Sequence, residues 1–483
     1  MQILWYDYET SGRDPVCDRP VQMGWQITDA GMEPLGDADS VLVRLPDDVL
    51  PSPAAMLIHQ IVPEIHQRDG LTEAELAQRL EDLITPNTVV AGYNSRQFDD
   101  KFTQHVFYRS LRDPYRWQYE GGRARFDLYP VVLSYFVFAP DALRWPEDGD
   151  GRPRFKLDRI GPLNQLDLGL KRAHDASADV TVTARLARLL AHYDADFFAN
   201  CLKLIDKHYV IDVIRADGRS SGLLEVTTFA GWDSGYVRDL WVPFRTSEKS
   251  KDFVGFDLNQ NPEDVLAGLA SLSKMELLDL DRLKQLRLLG VHVIRTNAQP
   301  MIFSRQNLDS ETEKRLANFG RDIERQNQHL DLWQHIQESP IFKQLYQLTI
   351  EAMAESESKT DPDVDYGLYS GGFLSPADRK LLAQCPLMDS DALKNFVPSF
   401  EDPRYPELVF RYRARNFPSS LSPAEWRRWT GIRRSKLTRE DGKGMTVLRL
   451  NDELLSLTEE SLEAHQSDQL ERFILWLDNQ PPI

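Results

Sequence analysis

The chain opens with an apolar and aromatic run, Leu4-Trp5-Tyr6, which passes into Asp7-Tyr8-Glu9. Side chains of a strand leave on alternate faces, so a strand here puts Asp7 and Glu9 on one side. Val21 to Thr28 and Ser40 to Leu45 read as the next two strands, with a turn at Asp29-Ala30-Gly31. Between Thr72 and Leu83 the apolar spacing becomes helical, with Thr72 as N-cap and Glu75 completing a capping box. Thr88 to Ala91 is a short buried strand. The segment Gly92-Tyr93-Asn94-Ser95-Arg96-Gln97-Phe98-Asp99-Asp100 then gives a strand end, a loop and a helix start. That helix has Phe102, Val106 and Phe107 among its apolar positions. Further on, Val182, Leu186 and Leu190 recur every four residues, which predicts an amphipathic helix behind His174-Asp175-Ala176-Ser177-Ala178-Asp179. Strands followed by alternating helices predict an α/β domain with a mixed sheet.

Near Asp194 the pattern changes. Leu223 to Thr228, Tyr236 to Phe244, Phe253 to Leu258 and Val291 to Arg295 read as short strands, which predicts a small barrel-like module. Its aromatics Phe229, Trp232, Tyr236 and Trp241 either offer stacking faces to bases or fill a small β core, and the second reading suits most of them. Glu311 to Ala354 is helical in composition. Glu355 to Asp365 is polar and charged with one proline, hence a linker, and helical patterns dominate beyond it. The expected domains are 1–193, 194–356 and 357–483.

Length and charge sharpen this picture. A chain of 483 residues is too long for one core, and about three domains is the natural expectation. The net charge of −18 repels nucleic acid, so such a partner requires a locally basic surface or bridging metal ions. Arg411 to Lys436 is the one such stretch, with eight basic residues, the single acid Glu425, and Tyr412, Phe417, Trp426 and Trp429 among them. It reads either as a site for phosphates and bases or as a helical face with buried aromatics. Three widely spaced cysteines argue against a zinc ribbon and a disulfide framework, and fit a reducing compartment. No basic leader with an apolar run is visible, and Val131 to Ala139 falls far short of the roughly 20 residues that span a bilayer. A cytoplasmic protein is expected.

The acids carry the chemistry. Two carboxylates on one strand face repel unless a cation lies between them, and a divalent metal is the usual remedy. At Asp99-Asp100 one acid is accounted for by the start of a helix, leaving the other for chemistry. Five residues on a helix turn roughly 500°, so His174 acts with Asp179 only from just before the helix, with Asp175 as N-cap.

Asp-x-Glu on a first strand, Phe-Asp after a middle strand and His-x4-Asp opening a late helix resemble, over roughly the first 190 residues, the DEDDh branch of the 3′→5′ exonucleases. Further stretches resemble bacterial exonuclease I: Asp7-Tyr8-Glu9-Thr10, Asp18-Arg19-Pro20, Gly92-Tyr93-Asn94, Arg96-Gln97-Phe98-Asp99-Asp100, Phe107-Tyr108-Arg109, Asp113-Pro114-Tyr115, Arg125-Phe126-Asp127 and Tyr412-Arg413-Ala414-Arg415-Asn416-Phe417-Pro418. The resemblance implies an RNase H-like exonuclease domain, an SH3-like β module and an all-α C-terminal domain. It also implies degradation of single-stranded DNA from the 3′ end to 5′-mononucleotides, in DNA repair and recombination. By the same resemblance Asp7, Glu9, Asp99 and Asp179 hold two Mg²⁺ ions, with Mn²⁺ as an alternative. Two such ions clamp both reacting oxygens of a phosphodiester. His174 takes the proton of the attacking water, suited by an ordinary pKa near 6.5. The implied substrate contacts are Tyr8, Thr10, Leu57, His59, Asn94, Phe98, Arg125, Arg413 and Arg415. The implied partners are single-stranded DNA and the acidic C-terminal tail of single-stranded DNA-binding protein, with a monomeric enzyme and no membrane. One departure stands out: Gln60, in Leu57-Ile58-His59-Gln60-Ile61, occupies a position where many members carry glycine. An RNA 3′-end-trimming exonuclease, a non-catalytic binder of single strands and a protein-interaction scaffold are the rival readings. The presence of all four carboxylates and the histidine argues against the non-catalytic binder, and absence of any oligonucleotide shift would favour the scaffold.

Overall fold

The computed structural model describes every residue except 168–174, 247–250, 273–281, 357–362, 371–373, 397, 441–442, 460–461 and 480–483. The chain forms two compact units. One contains Met1–Arg125, Gln165–Leu186 and Thr360–Ile483; the other contains Phe126–Asn164 and Ala187–Lys359. Of the expected 1–193 domain, 1–125 and 165–186 share a unit with the C-terminal helices, while 126–164 and 187–193 belong to the other unit.

In the first unit, β1 (Gln2–Thr10), β2 (Pro20–Asp29), β3 (Asp39–Leu42), β4 (Thr88–Gly92) and β5 (Ala124–Asp127) form a sheet in the order β3-β2-β1-β4-β5. β1 runs antiparallel to β2 and parallel to β4, which makes the sheet mixed, as expected. The third strand is shorter than its pattern suggested: beyond Leu42, Val43 still donates to the Val21 carbonyl of β2 at 2.8 Å, but it also bridges to Leu71, and the chain turns away. Helices α1 (Pro53–His59), α2 (Glu73–Leu83), α3 (Asp99–Arg109) and α4 (Ala176–Tyr193) follow in the chain.

The two faces of β1 differ. Leu4, Tyr6 and Tyr8 pack with Leu76 and Leu80 of α2 and with Phe102, Val106 and Phe107 of α3. On the opposite face Ile3 and Trp5 are fully buried, but the next two positions are Asp7 and Glu9. That face therefore passes from apolar to acidic along one strand. The capping box of α2 is formed as its sequence predicts: the Thr72 hydroxyl accepts from Glu75 N at 3.1 Å, and the Glu75 carboxylate accepts from Thr72 N at 2.7 Å.

The C-terminal part of this unit is helical in its long elements: α5 (Arg404–Asn416), α6 (Pro423–Thr438), α7 (Val447–Glu459) and α8 (Ala464–Asp478). Leu450 and Leu457 of α7, with Leu470 and Phe473 of α8, form a core that takes in Met56 and Leu57 of α1.

The second unit is built on five antiparallel strands, β6 (Leu223–Val226), β7 (Val237–Arg245), β8 (Phe253–Asp257), β9 (Val291–Ile294) and β10 (Met301–Ser304), in the order β10-β6-β7-β8-β9. β10, absent from the sequence expectation, is only four residues long and closes the sheet beside β6. Trp241 fills the core against Phe256, Trp333 and Phe342, as the core reading of the aromatics expected, whereas Phe229 is 84% exposed. Among the described residues, no helix is long and apolar enough to cross a membrane.

Candidate active site

β1 presents Asp7 and Glu9, and its pairing with β2 sets Asp7 opposite Gly24 and Glu9 opposite Gln22. Both β2 residues bring up α4. Ala176 N, at the start of that helix, donates to Gln22 Oε1 at 3.2 Å. A Cβ on Gly24 would lie 2.3 Å from the Ala176 carbonyl, so the missing side chain is what lets the first turn of α4 rest on the sheet. The Asp175 carboxylate caps the turn, accepting from Ser177 N at 3.1 Å and from the Ser177 hydroxyl at 2.6 Å. Asp179 then reaches the β1 acids: one carboxylate oxygen from each of Asp7, Glu9 and Asp179 lies within 4.8 Å of the others.

The fourth acid arrives from the other edge. β4 pairs with β1 only as far as Trp5 opposite Ala91, so Tyr8 N has no strand partner on that side. Asp99, at the start of α3, accepts from Tyr8 N at 3.1 Å. Its neighbour Asp100 turns into the core, where it accepts from the Tyr6 hydroxyl at 2.7 Å and from Arg125 at 3.0 Å. Neither acid is the helix N-cap, a position held by Phe98 without a side-chain bond. The adjacent pair therefore divides between the core, where Asp100 is bonded, and the β1 acids, beside which Asp99 lies.

Crowding of like charges shows in the proton affinities. Burial pushes the Asp7 carboxyl well up, and Asp99, Asp179 and Glu9 add to the rise. Burial, then Asp179, Asp99 and Asp175, push Glu9 to about 8. Such a group of hard oxygens costs energy as it stands and suits a divalent cation such as Mg²⁺ or Mn²⁺. His174 lies outside the described residues.

Beside Glu9 opens a cavity of about 450 Å³, lined in part by Tyr8, Thr10, His59 and Phe98, four of the expected substrate contacts. His59 Nδ1 accepts from Ile61 N at 3.0 Å, which places the proton of the neutral ring on Nε2. Gln60 adopts the left-handed conformation, φ 61° and ψ 23°, as the C-cap of α1. The backbone path natural to glycine is therefore kept, with a residue for which it is strained. Leu57 is buried in the core between α1 and the C-terminal helices, and Asn94 is left-handed at φ 61°. Arg125 is held by Asp100.

Arg413 and Arg415 correct the reading of the basic stretch. Arg413 pairs with Glu425, and Arg415 with Asp48 and Asp365, and both side chains are buried. Arg411, Arg428, Arg433 and Lys436 are likewise paired with carboxylates. Six of the eight basic residues thus pair with carboxylates of their own fold, the fully buried Asp48 and Asp365 among them, so most of the charge is not a free surface for phosphate; Arg427 and Arg434 are exposed. Of the expected linker, 357–362 lies outside the described residues, and Asp363 and Asp365 at its end are two of those acids.

Two lining residues escaped the sequence reading. Arg13 is exposed and is the one arginine or lysine among the cavity's described lining residues; its place one turn after Asp-x-Glu was the available signal. Glu453, on α7, gave no local signal at all.

A mixed sheet with four acids converging on its first strand is the arrangement of a metal-dependent nuclease, and the family model described as Exonuclease matches residues 4–187. A second model, described as Exonuclease I C-terminal domain, matches residues 362–480. Exodeoxyribonuclease I of Escherichia coli (strain K12) is 32% identical over 446 residues, covering 90% of each chain. Among solved structures, exonuclease I from Methylocaldum szegediense is 31% identical with a TM-score of 0.85, covering 99% of both chains. A zinc-bound E. coli exonuclease I–single-stranded DNA complex is 27% identical, with a TM-score of 0.83, over 99% of this chain and 98% of that one. A structure described as SSB/exonuclease I in complex with an inhibitor is 28% identical, with a TM-score of 0.84, over 99% of both. The chain belongs to the exodeoxyribonuclease I family.

Proposed function

We propose that this chain hydrolyses single-stranded DNA from its 3′ end and releases 5′-mononucleotides, serving DNA repair and recombination. The meeting of Asp7, Glu9 and Asp179 within 4.8 Å, with Asp99 fixed beside them on Tyr8 N, carries the reading. Those four acids hold the divalent ions, Mg²⁺ by preference and Mn²⁺ as a substitute. Bound there, the ions supply Lewis-acid stabilisation of the attacking and leaving oxygens. His174 accepts the proton of the attacking water. Tyr8, Thr10, His59 and Phe98 receive the terminal nucleotide in the cavity beside Glu9. The enzyme acts as a cytoplasmic monomer and engages the acidic C-terminal tail of single-stranded DNA-binding protein. The solved SSB/exonuclease I neighbour supports that last partner.

Digestion of end-labelled DNA and RNA oligomers, with and without Mg²⁺, tests the reading. Mononucleotides should appear from DNA only with metal, and a 5′ label should persist until the last cuts. Early release of that label would overturn the polarity, and faster digestion of RNA would overturn the substrate. Asp179→Ala should abolish cleavage and spare part of the DNA binding; full activity would remove Asp179 from the metal site.

A further inference from the structure

Helix α1 projects Ile58, 45% exposed, and His59 into the cavity beside Glu9, and its start is completed by a residue from the far end of the chain. Pro53 has no N–H to satisfy. Ala55 N donates to the Ser52 hydroxyl at 3.1 Å, and Met56 N to the Ser52 carbonyl at 3.1 Å. The remaining N–H, on Ala54, donates to Glu453 Oε1 at 2.7 Å, and the Ser52 hydroxyl donates to the same oxygen at 2.6 Å. One carboxylate oxygen thus fixes both the N-cap side chain and the first free N–H of the helix. Leu450, Glu453 and Leu457 follow one another at helical spacing on α7. The two leucines belong to the core that holds Met56 and Leu57 from beneath.

From this we infer that Glu453 is a positioning residue for the terminal nucleotide, acting through α1: the C-terminal helices set the wall of the cavity that His59 and Ile58 form. The inference rests on the reading of that cavity as the nucleotide site. It assigns the C-terminal region a role in substrate affinity that is separate from the metal-binding acids, since Glu453 bonds to Ser52 and Ala54.

Steady-state kinetics on an oligonucleotide test it. Glu453→Ala should raise KM about tenfold, with kcat and Mn²⁺ affinity within about twofold of wild type. Glu453→Gln, which keeps an acceptor oxygen at the same reach, should restore KM to within about threefold. Ser52→Ala should raise KM in the same direction, and it decides the matter if Glu453→Ala does not fold. An unchanged KM, or an equal fall of kcat and Mn²⁺ affinity that Gln does not rescue, would overturn the inference. His59→Ala is the control. If it raises KM while the cap variants do not, only the role of Glu453 fails. If it leaves KM unchanged, the assignment of the nucleotide site fails first.

Discussion

Removing the carboxylate of Asp365 is the most informative single perturbation of this fold. Asp48, Asp363 and Asp365 face Arg411, Arg415 and Lys436, and Glu407 adds a fourth acid on Arg411. Asp365 lies at the centre. It accepts from Arg411 at 2.7 Å and from Arg415 at 2.5 and 2.9 Å, and Lys436 stands 3.4 Å away; its side chain is 0% exposed. Asp365→Ala leaves Arg411 to Asp363 and Glu407 but leaves Arg415 and Lys436 to share the single acid Asp48. Stranding a buried charge in this way costs about 3–5 kcal/mol, a large share of the stability of an ordinary domain. Urea unfolding followed by intrinsic fluorescence measures the loss as a shift in midpoint at unchanged slope. The double variant Asp365→Leu/Lys436→Met removes one charge of each sign, and should recover about 1–3 kcal/mol relative to the sum of the single changes. The pH dependence has a definite sign. Burial raises the Asp365 carboxyl, but Arg415, Lys436 and Arg411 outweigh it and hold the group well below the usual carboxylate range. Asp48 is lowered in the same way against its burial, by Arg415 and Lys436. Their contribution is therefore present above the unfolded value near 3.9 and is lost as pH falls below it. A cost under about 1 kcal/mol for Asp365→Ala, or additivity in the double variant, would refute the reasoning.

Glu9 has the opposite sign: raised to about 8 in the fold, it contributes stability that is present below about pH 4.5 and lost as pH rises through 8. Metal-free protein should lose thermal stability over that window, and the rise in Tm on adding Mg²⁺ should be larger at the alkaline end; a rise independent of pH would contradict the crowding of the acids. Asp7→Asn should abolish cleavage yet raise the Tm of the metal-free protein at alkaline pH, checked in the same melts. Gln60→Gly should keep activity and leave stability within about 1 kcal/mol, because glycine accepts the left-handed conformation freely, whereas Gln60→Ile should destabilise by about 2 kcal/mol in urea melts. Arg13→Ala should raise KM and reduce the slope of log affinity against log salt by about one, measured by fluorescence anisotropy with a single-stranded oligonucleotide.

What could be read in advance was local. The alternation of β1 foretold that Asp7 and Glu9 share a face, and the Thr72–Glu75 box foretold where α2 begins, because both depend on residues a few positions apart. Spacing alone leaves the division of labour between Asp99 and Asp100 open, and it is the family resemblance that assigns Asp99 to the site. The division is settled by Tyr6 and Tyr8, some ninety positions earlier in the chain. The basic stretch misled because, beyond the nearby Glu407 and Glu425, its counter-charges Asp47, Asp48 and Asp365 lie 46 to 388 residues away along the chain. A run of arginines looks the same whether it meets phosphate or a buried carboxylate. Glu453 was hidden for the same reason, its partners lying 399 and 401 residues distant.

A slip of one residue between β1 and β2 would exchange the two sides of the opening strand, pressing the acids into the aromatic core and turning Tyr6 and Tyr8 toward Asp179. Hydrolysis therefore doubles as a gauge of whether the first strands have annealed in the right alignment. During recovery from denaturant, far-UV ellipticity can return with the strands misaligned, but cleavage cannot. The lag between the two curves would time that alignment.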